Sequence, residues 1–165
     1  MVKEALDLKG YFLTLTFIHA ALISGQVFFG FIAYFLVSTG GITFIDEATM
    51  KIFRIIVPLL TIISIGASYL FFRMQLNNAK SKQDLSEKLM TYRTALIIKW
   101  AFLETPSILA IVGYLITGNR FFIIIAGLII LVFLVNKPSR NSTAFELELS
   151  RNERGKIDNP NNSGQ

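Results

Sequence analysis

The chain has 165 residues, of which 53% are hydrophobic and only 16% are charged, whereas a soluble domain typically carries about a quarter charged residues. This composition excludes an ordinary soluble domain and predicts a membrane protein. The net charge is +5, yet the basic residues flank the apolar runs without forming a basic stripe, so nucleic acid is not an expected partner, and the lack of cysteine excludes disulfides and thiolate metal sites.

Four apolar runs account for most of the chain: residues 11–38, 52–72, 95–117 and 121–135. A helix needs about 20 residues to cross about 30 Å of hydrocarbon, and these runs approach or exceed that length. Helices are favoured because lipid-exposed backbone must satisfy its hydrogen bonds within its own segment. The sequence therefore predicts an all-α fold, an integral membrane four-helix bundle of two helical hairpins within residues 1–136. A polar, partly disordered cytoplasmic tail is expected at 137–165.

The first run carries a stripe of small and polar residues: Thr16, His19, Gln26, Gly30 and Ala33. At about 100° per residue these positions fall on one side of a helix. Small and hydrogen-bonding residues let membrane helices pack closely, so this side is expected to face protein. We interpret His19 as a neutral imidazole bonded to a neighbouring helix, and Gly30 as a packing position.

The second run contains Pro58 in its first turns, where the missing amide donor is better tolerated than further along a helix. Ser64 and Ser68 stand four residues apart, a spacing of small residues that lets two membrane helices approach closely. We therefore predict that both serines are helix-packing residues.

The third run belongs to the segment TYRTALIIKWAFLETPSILAIVGYLITG and carries Glu104 near its middle. A charged group at bilayer depth costs at least a few kcal/mol unless it is paired, so an intramembrane carboxylate marks a candidate functional site. Lys99 is expected to extend its amine to the headgroups, and Trp100 suits an interfacial anchor. Pro106, a predicted helix-packing residue, removes one helical donor and is expected to kink the helix beside Glu104. The kink either opens a small polar pocket or is simply tolerated.

The predicted topology places His19 and Glu104 at similar depths, about 12 Å and about 15 Å into two helices that enter from the same side. His19 or Gln26 is then the natural partner of Glu104, and the three form a candidate intramembrane polar site. Two interpretations remain open. In the first, the carboxyl group is neutral, hydrogen-bonded and structural. In the second, it exchanges a proton or binds a cation during transport.

The fourth run follows a tight turn at Gly118-Asn119 and spans only about 15 residues, or roughly 23 Å. Orientation follows from the loops, because the amino tail, the loop between the second and third runs, and the residues after the fourth run hold most of the lysines and arginines. The positive-inside rule then places both termini in the cytoplasm of a multi-pass inner (plasma) membrane protein. In the tail, residues 143–154 are predicted to form a short helix.

Helices one and three can be aligned with each other by placing Tyr34 over Tyr114, which sets residues 19–36 against 99–116. Ala21 then falls on Ala101, and the two helices run parallel in the predicted topology. Weak internal symmetry is common in membrane proteins, and the alignment leaves open whether the hairpin is a true duplication.

Enzymatic signatures are missing from the sequence: it has one histidine, no Gly-rich phosphate loop, no HExxH and no nucleophile elbow. We therefore expect no catalytic residues, no metal and no cofactor. The interpretation that we favour is a structural or interaction subunit of a membrane complex, with lipid, other membrane proteins or a second copy as partners. The alternative is a proton- or cation-coupled transport component that uses Glu104.

The layout of the chain, and especially YRTALIIKWAFLETPSILAIVGYLITGN followed by a short span and a polar tail, resembles uncharacterised small four-helix bacterial inner-membrane proteins. That resemblance implies the membrane bundle and no particular activity. Separately, AFLETPSILAIVGYLI is similar to the ion-carrying helix of the rotary ATPase proteolipid subunits, which implies proton or sodium binding by Glu104. The glycine-rich partner helix of that family has no counterpart here, since the first run has only Gly25 and Gly30, and we do not assign the chain to it.

Overall fold

The computed structural model describes residues 8–40 and 46–158, and this part of the chain is helical and has no strand. Six helices follow one another: α1 Leu8–Ser38, α2 Glu47–Lys80, α3 Leu85–Thr117, α4 Arg120–Val135, α5 Arg140–Glu146 and α6 Arg151–Asp158. The predicted all-α fold is confirmed. Helix α2 extends beyond its apolar run at both ends, and α3 begins about three turns before its run.

Three of these helices, α1, α2 and α3, are long and apolar enough to cross a membrane. The fourth apolar run gives α4, which has 16 residues and covers roughly 24 Å. Between α4 and α5 the chain bends by 80°, and the two helices would add a fourth crossing if they are taken as one broken span. By length and composition, three helices can therefore cross a membrane, and the number is four if α4 and α5 form one broken span.

The central helix is α3, which packs against α2, α4 and α1. α1 contacts α3 and α4 along one narrow strip, and its other faces are exposed and rich in large apolar side chains, among them Phe17, Phe28, Phe31 and Phe35. In a membrane protein such a surface faces lipid or another protein, because the bilayer core is as apolar as these side chains.

The helices α1 and α3 lie parallel and in a constant register. The rings of His19 and Trp100 are 5.1 Å apart between centroids, and the rings of Tyr34 and Tyr114 stack at 6.5 Å. Between these pairs, Gly30 faces Ile111. The tyrosines are 80 positions apart in the chain and the other two pairs 81, within one residue of the offset that the alignment of the two tyrosines gives.

The tail differs from the single short helix predicted at 143–154, because it forms α5 and α6 with a break between them. The break contains Glu148, whose φ of 52° lies in the left-handed region and ends a helix. It also lets Leu147 and Leu149, on either side of Glu148, both turn inward and become buried. Together with Ile157 of α6 they join the core at the end of the bundle where α2 ends and α3 begins. Residues 159–165, the end of the predicted tail, lie outside the described ranges.

Candidate functional site

The candidate site is a row of buried polar side chains between α1 and α3, close to α4. We define the polar row as four residues: His19 and Gln26 of α1, and Trp100 and Ser107 of α3. Each helix contributes two members seven residues apart, which is close to two helical turns and keeps them on one face. The helical periodicity that predicted the α1 stripe therefore places His19 and Gln26 inside the bundle, whereas Thr16, at the edge of that stripe, is exposed.

His19 joins α1 to the end of α4. Its side chain is 4% exposed, and Nε2 lies 3.0 Å from the carbonyl oxygen of Phe133. Because a carbonyl oxygen only accepts, Nε2 carries the proton and donates it. Phe133 lies in the last turn of α4, where carbonyl groups lack the usual intrahelical donors, and its oxygen also accepts the backbone N–H of Asn136 at 3.0 Å. The imidazole therefore supplies a donor to a helix end while its ring packs against Trp100.

Gln26 and Ser107 are buried without full hydrogen bonding. The Gln26 amide nitrogen donates to the carbonyl of Leu22 at 3.3 Å, but its Oε1 atom has no partner in the described part of the chain. The Ser107 hydroxyl and the Trp100 Nε1–H are also buried there without a partner. Since Gln26 and Ser107 share the offset of the other α1–α3 pairs, they lie at the same level. A buried unsatisfied group costs about 1–3 kcal/mol, so these atoms need an explanation.

Glu104 stands four residues after Trp100 and three before Ser107, on the same side of α3 but at its edge. It is half-buried, and it makes no hydrogen bond or ion pair within residues 8–40 and 46–158. The predicted bond to His19 or Gln26 does not form, because His19 bonds to Phe133 and Gln26 bonds within its own helix. The carboxyl group therefore lies close to the polar row but forms no hydrogen bond with any of its members.

Lys99 and Trp100 are buried, whereas the anchor prediction expects both at the membrane surface. Lys99 is 6% exposed, and its amine lies 4.4 Å from the ring centroid of Phe72 and 5.1 Å from that of Tyr69. A cation over aromatic faces is attracted by their quadrupoles, so α2 supplies partners for the charge inside the protein. Trp100 is fully buried against His19. The reason for the difference is that α2 and α1 cover this side of α3.

The packing residues predicted from the sequence behave in different ways. Ser68 is buried, and its hydroxyl donates to the carbonyl of Lys99 at 3.1 Å, which joins α2 to α3. Ser64 is half-buried on the same helix. Gly30 is buried where a Cβ atom would lie 3.7 Å from the Cδ1 atom of Ile111, in ordinary contact. Pro106 is buried inside α3, which continues through it as one helix.

Two features of the site have no signal in the sequence. The acceptor for His19 is a main-chain carbonyl, which any residue at position 133 would supply. Ser107 follows Pro106 in an apolar run, and nothing in its neighbours indicates that its hydroxyl faces α1. No group of three or more His, Cys, Asp or Glu side chains that could hold a metal ion occurs in the part of the chain that the structure describes.

Comparisons with protein-family models, with curated proteins and with solved structures find no match to this chain. Its function therefore has to follow from its own residues, of which Glu104 and the polar row are the most unusual for a membrane helix.

Proposed function

We propose that the chain is a multi-pass inner-membrane protein with four crossings and both termini in the cytoplasm, and that it acts as a structural or interaction subunit of a membrane complex. The distribution of lysine and arginine supports the orientation. Helix α4 supports the fourth crossing, because its 16 residues carry no charge after Arg120 and it packs against α3. A short span of this kind is tolerated where neighbouring helices shelter it or the bilayer thins.

The observation that carries the proposal is the half-buried carboxyl group of Glu104 without a partner in the described residues. At bilayer depth such a group costs at least a few kcal/mol when it is left unpaired. His19 is already engaged with Phe133, and its bond would have to break to serve Glu104. A donor from a second membrane protein, or from a second copy of the chain, would satisfy the carboxyl group where it stands at the edge of α3.

Co-purification tests this proposal. A tagged full-length chain is isolated in mild detergent from cells, as wild type and as the variants Glu104→Gln and Glu104→Leu. We expect the glutamine variant, which keeps a hydrogen-bonding side chain of similar size, to retain part of the bound partner, and the leucine variant to lose it. The matched control is Thr105→Val, because Thr105 is exposed at the same depth and bonds only to the carbonyl of Ala101 in its own helix. Equal recovery of partners with Glu104→Leu and wild type would refute the proposal.

A second candidate is a proton- or cation-coupled transport component, and the unpartnered atoms of the polar row favour it. Gln26 Oε1, Ser107 Oγ and Trp100 Nε1 are one acceptor and two donors, the groups that hold buried water molecules in polar cavities. The test is proton flux into liposomes that contain the purified chain and a pH-sensitive dye. Transport predicts that Glu104→Gln abolishes the flux and Ser107→Ala lowers it, while Thr105→Val leaves it unchanged. Flux equal to that of empty liposomes would exclude this candidate.

A further inference from the structure

An apolar groove of about 270 Å³ lies between α2 and α4. Its walls are formed mainly by Pro58, Ile62 and Ile65 of α2 and by Ile125, Ile129 and Val132 of α4. Thr61 also lines it, but its hydroxyl donates to the carbonyl of Val57 at 2.8 Å in its own helix. The groove therefore offers no free hydrogen-bonding group to an occupant.

A second pocket lies at the end of the bundle where α4 begins. This pocket has a volume of about 260 Å³ and is lined by Arg54, Asn119 and Phe121. Arg54 stands four residues before Pro58, and Phe121 stands four residues before Ile125, so the pocket lies one helical turn beyond the groove on both helices. The apolar groove and the cationic pocket therefore follow one another along the axes of α2 and α4.

The net charge at this end is positive, because Lys51, Arg54 and Arg120 outnumber Asp46 and Glu47. Arg54 is exposed, and its guanidinium contacts only the sulfur atom of Met50, at 3.8 Å, among the described residues. Glu47, the acidic residue that begins α2, is paired with Lys51 at 3.5 Å instead. Arg120, beside Asn119, is exposed as well. The first turn of α4 adds a partial positive charge from the helix dipole.

We infer that the groove and the Arg54 pocket bind one anionic phospholipid, with an acyl chain between α2 and α4 and the phosphate at the guanidinium of Arg54. The charge of the pocket selects the occupant, because a guanidinium binds phosphate oxygens through two parallel hydrogen bonds. The groove fits a chain of methylene groups, which needs no hydrogen bond, whereas an extended peptide backbone would leave its polar groups unpaired there. In the proposed orientation this lipid belongs to the leaflet away from the cytoplasm.

Native mass spectrometry of the intact chain, released from an uncharged detergent, tests the inference with phosphatidylglycerol and phosphatidylcholine as probes. We expect one phosphatidylglycerol molecule to remain bound. Phosphatidylcholine carries the same phosphate together with a quaternary ammonium, which Arg54 and Arg120 repel, so it should bind at least about tenfold more weakly. Arg54→Gln should remove this preference, and Ile62→Trp, which fills the groove, should weaken binding of both lipids.

Two matched variants serve as controls. Arg73→Gln removes an exposed arginine from the other end of α2, and Leu70→Trp adds an indole to an exposed position of the same helix outside the groove. Both should bind phosphatidylglycerol as wild type does. Equal retention of the two lipids by the wild-type chain would overturn the selection of an anionic lipid by the Arg54 pocket. Wild-type retention by Arg54→Gln and Ile62→Trp, with helix content unchanged by circular dichroism, would overturn the site as a whole.

Discussion

The bond between His19 and the carbonyl of Phe133 is the single side-chain hydrogen bond found between α1 and α4 in the described residues. It serves a carbonyl at a helix end, so its loss affects both helices. Since His19 is only 4% exposed, bulk water does not reach the carbonyl to replace the lost donor. The residue therefore holds the least firmly packed of the long helices against the rest of the bundle.

Removing the donor while keeping an aromatic ring separates the hydrogen bond from the packing. We expect His19→Phe to lower the free energy of unfolding by about 1 kcal/mol, the usual net value of one hydrogen bond, and His19→Ala to lower it by about 2–4 kcal/mol because the ring contacts with Trp100 are lost too. Unfolding by a denaturing detergent, followed by circular dichroism, measures both. Thr16→Val is the control, since Thr16 is exposed on the same helix. A stability of His19→Phe equal to that of wild type would mean that the bond contributes nothing.

Unlike His19, Lys99 is expected to cost stability, because its charge is buried between aromatic rings. A lysine in the membrane interior costs about 2.5–3.5 kcal/mol, and a cation–π contact returns about 0.5–2 kcal/mol. We therefore expect Lys99→Met, which keeps the aliphatic stem, to raise the free energy of unfolding by about 0.5–3 kcal/mol, the difference between these two values. The same detergent titration measures it, with Arg73→Met as the exposed control. A clear loss of stability would show that the rings of Phe72 and Tyr69 outweigh the cost of burying the charge.

The sequence predicts the inward side of α1 well and the partners of its residues poorly. The repeat of small and polar residues places His19, Gln26, Gly30 and Ala33 on one face, and all four are buried. The bond of His19 could not be predicted, because a main-chain acceptor leaves no trace in residue type. The burial of Lys99 depends on the rotation of α2 relative to α3, which one sequence does not reveal.

At the scale of elements, the turn between α3 and α4 decides how closely the second hairpin closes. Gly118 ends α3 with a φ of 64°, and its N–H bonds to the carbonyl of Tyr114 at 2.8 Å. The next residue, Asn119, accepts the N–H of Phe121 at 3.0 Å and begins α4. The predicted Gly-Asn turn thus consists of a left-handed helix end followed at once by a helix start.

A side chain at position 118 would strain this left-handed conformation by about 1–2 kcal/mol. We expect Gly118→Ala to lower the free energy of unfolding by about 1 kcal/mol, and Gly118→Asn to lower it less, since asparagine tolerates the conformation. Gly127→Ala is the matched control. Gly127 lies inside α4, where an added Cβ atom would meet no other atom within 4 Å, so alanine there should raise stability by about 0.5–1 kcal/mol through helix propensity. Equal effects of both alanine substitutions would contradict the role given to the turn.

For the whole molecule, α5 and α6 cover the end of the bundle where α1 and α3 begin. Tyr11 at the start of α1 donates to the carbonyl of Leu89 at 2.7 Å, and beside it Tyr92 donates to Glu146 of α5 at 2.7 Å. Buried apolar residues of the tail complete the same core cluster. The short polar segment after the last apolar run is therefore part of the folded structure as far as residue 158, and it forms two helices where the sequence predicts one.

The attachment of α6 should depend on pH through Glu153, whose carboxyl group lies 2.8 Å from the amine of Lys88. Burial alone would raise the pKa of Glu153, but hydrogen bonds from Lys88 and Ser150 outweigh it and hold the pKa below the usual value of about 4.3. A depressed carboxyl pKa stabilises the folded state above the unfolded value, and this contribution disappears as the pH falls through the folded pKa. We expect α6 to lose protection from hydrogen exchange below about pH 4, after correction for the intrinsic exchange rate.

Glu153→Gln should weaken this protection already at pH 7 and make it independent of pH, since glutamine does not titrate. The control is Glu148→Gln, because Glu148 is far more exposed than Glu153 and its pair with Lys80 is screened by solvent. Hydrogen-exchange mass spectrometry of the segment from 147 to 158 resolves the two variants. If wild type and Glu153→Gln lost protection in parallel as the pH fell, the titrating group would lie elsewhere and the pair with Lys88 would not be what holds α6 in place.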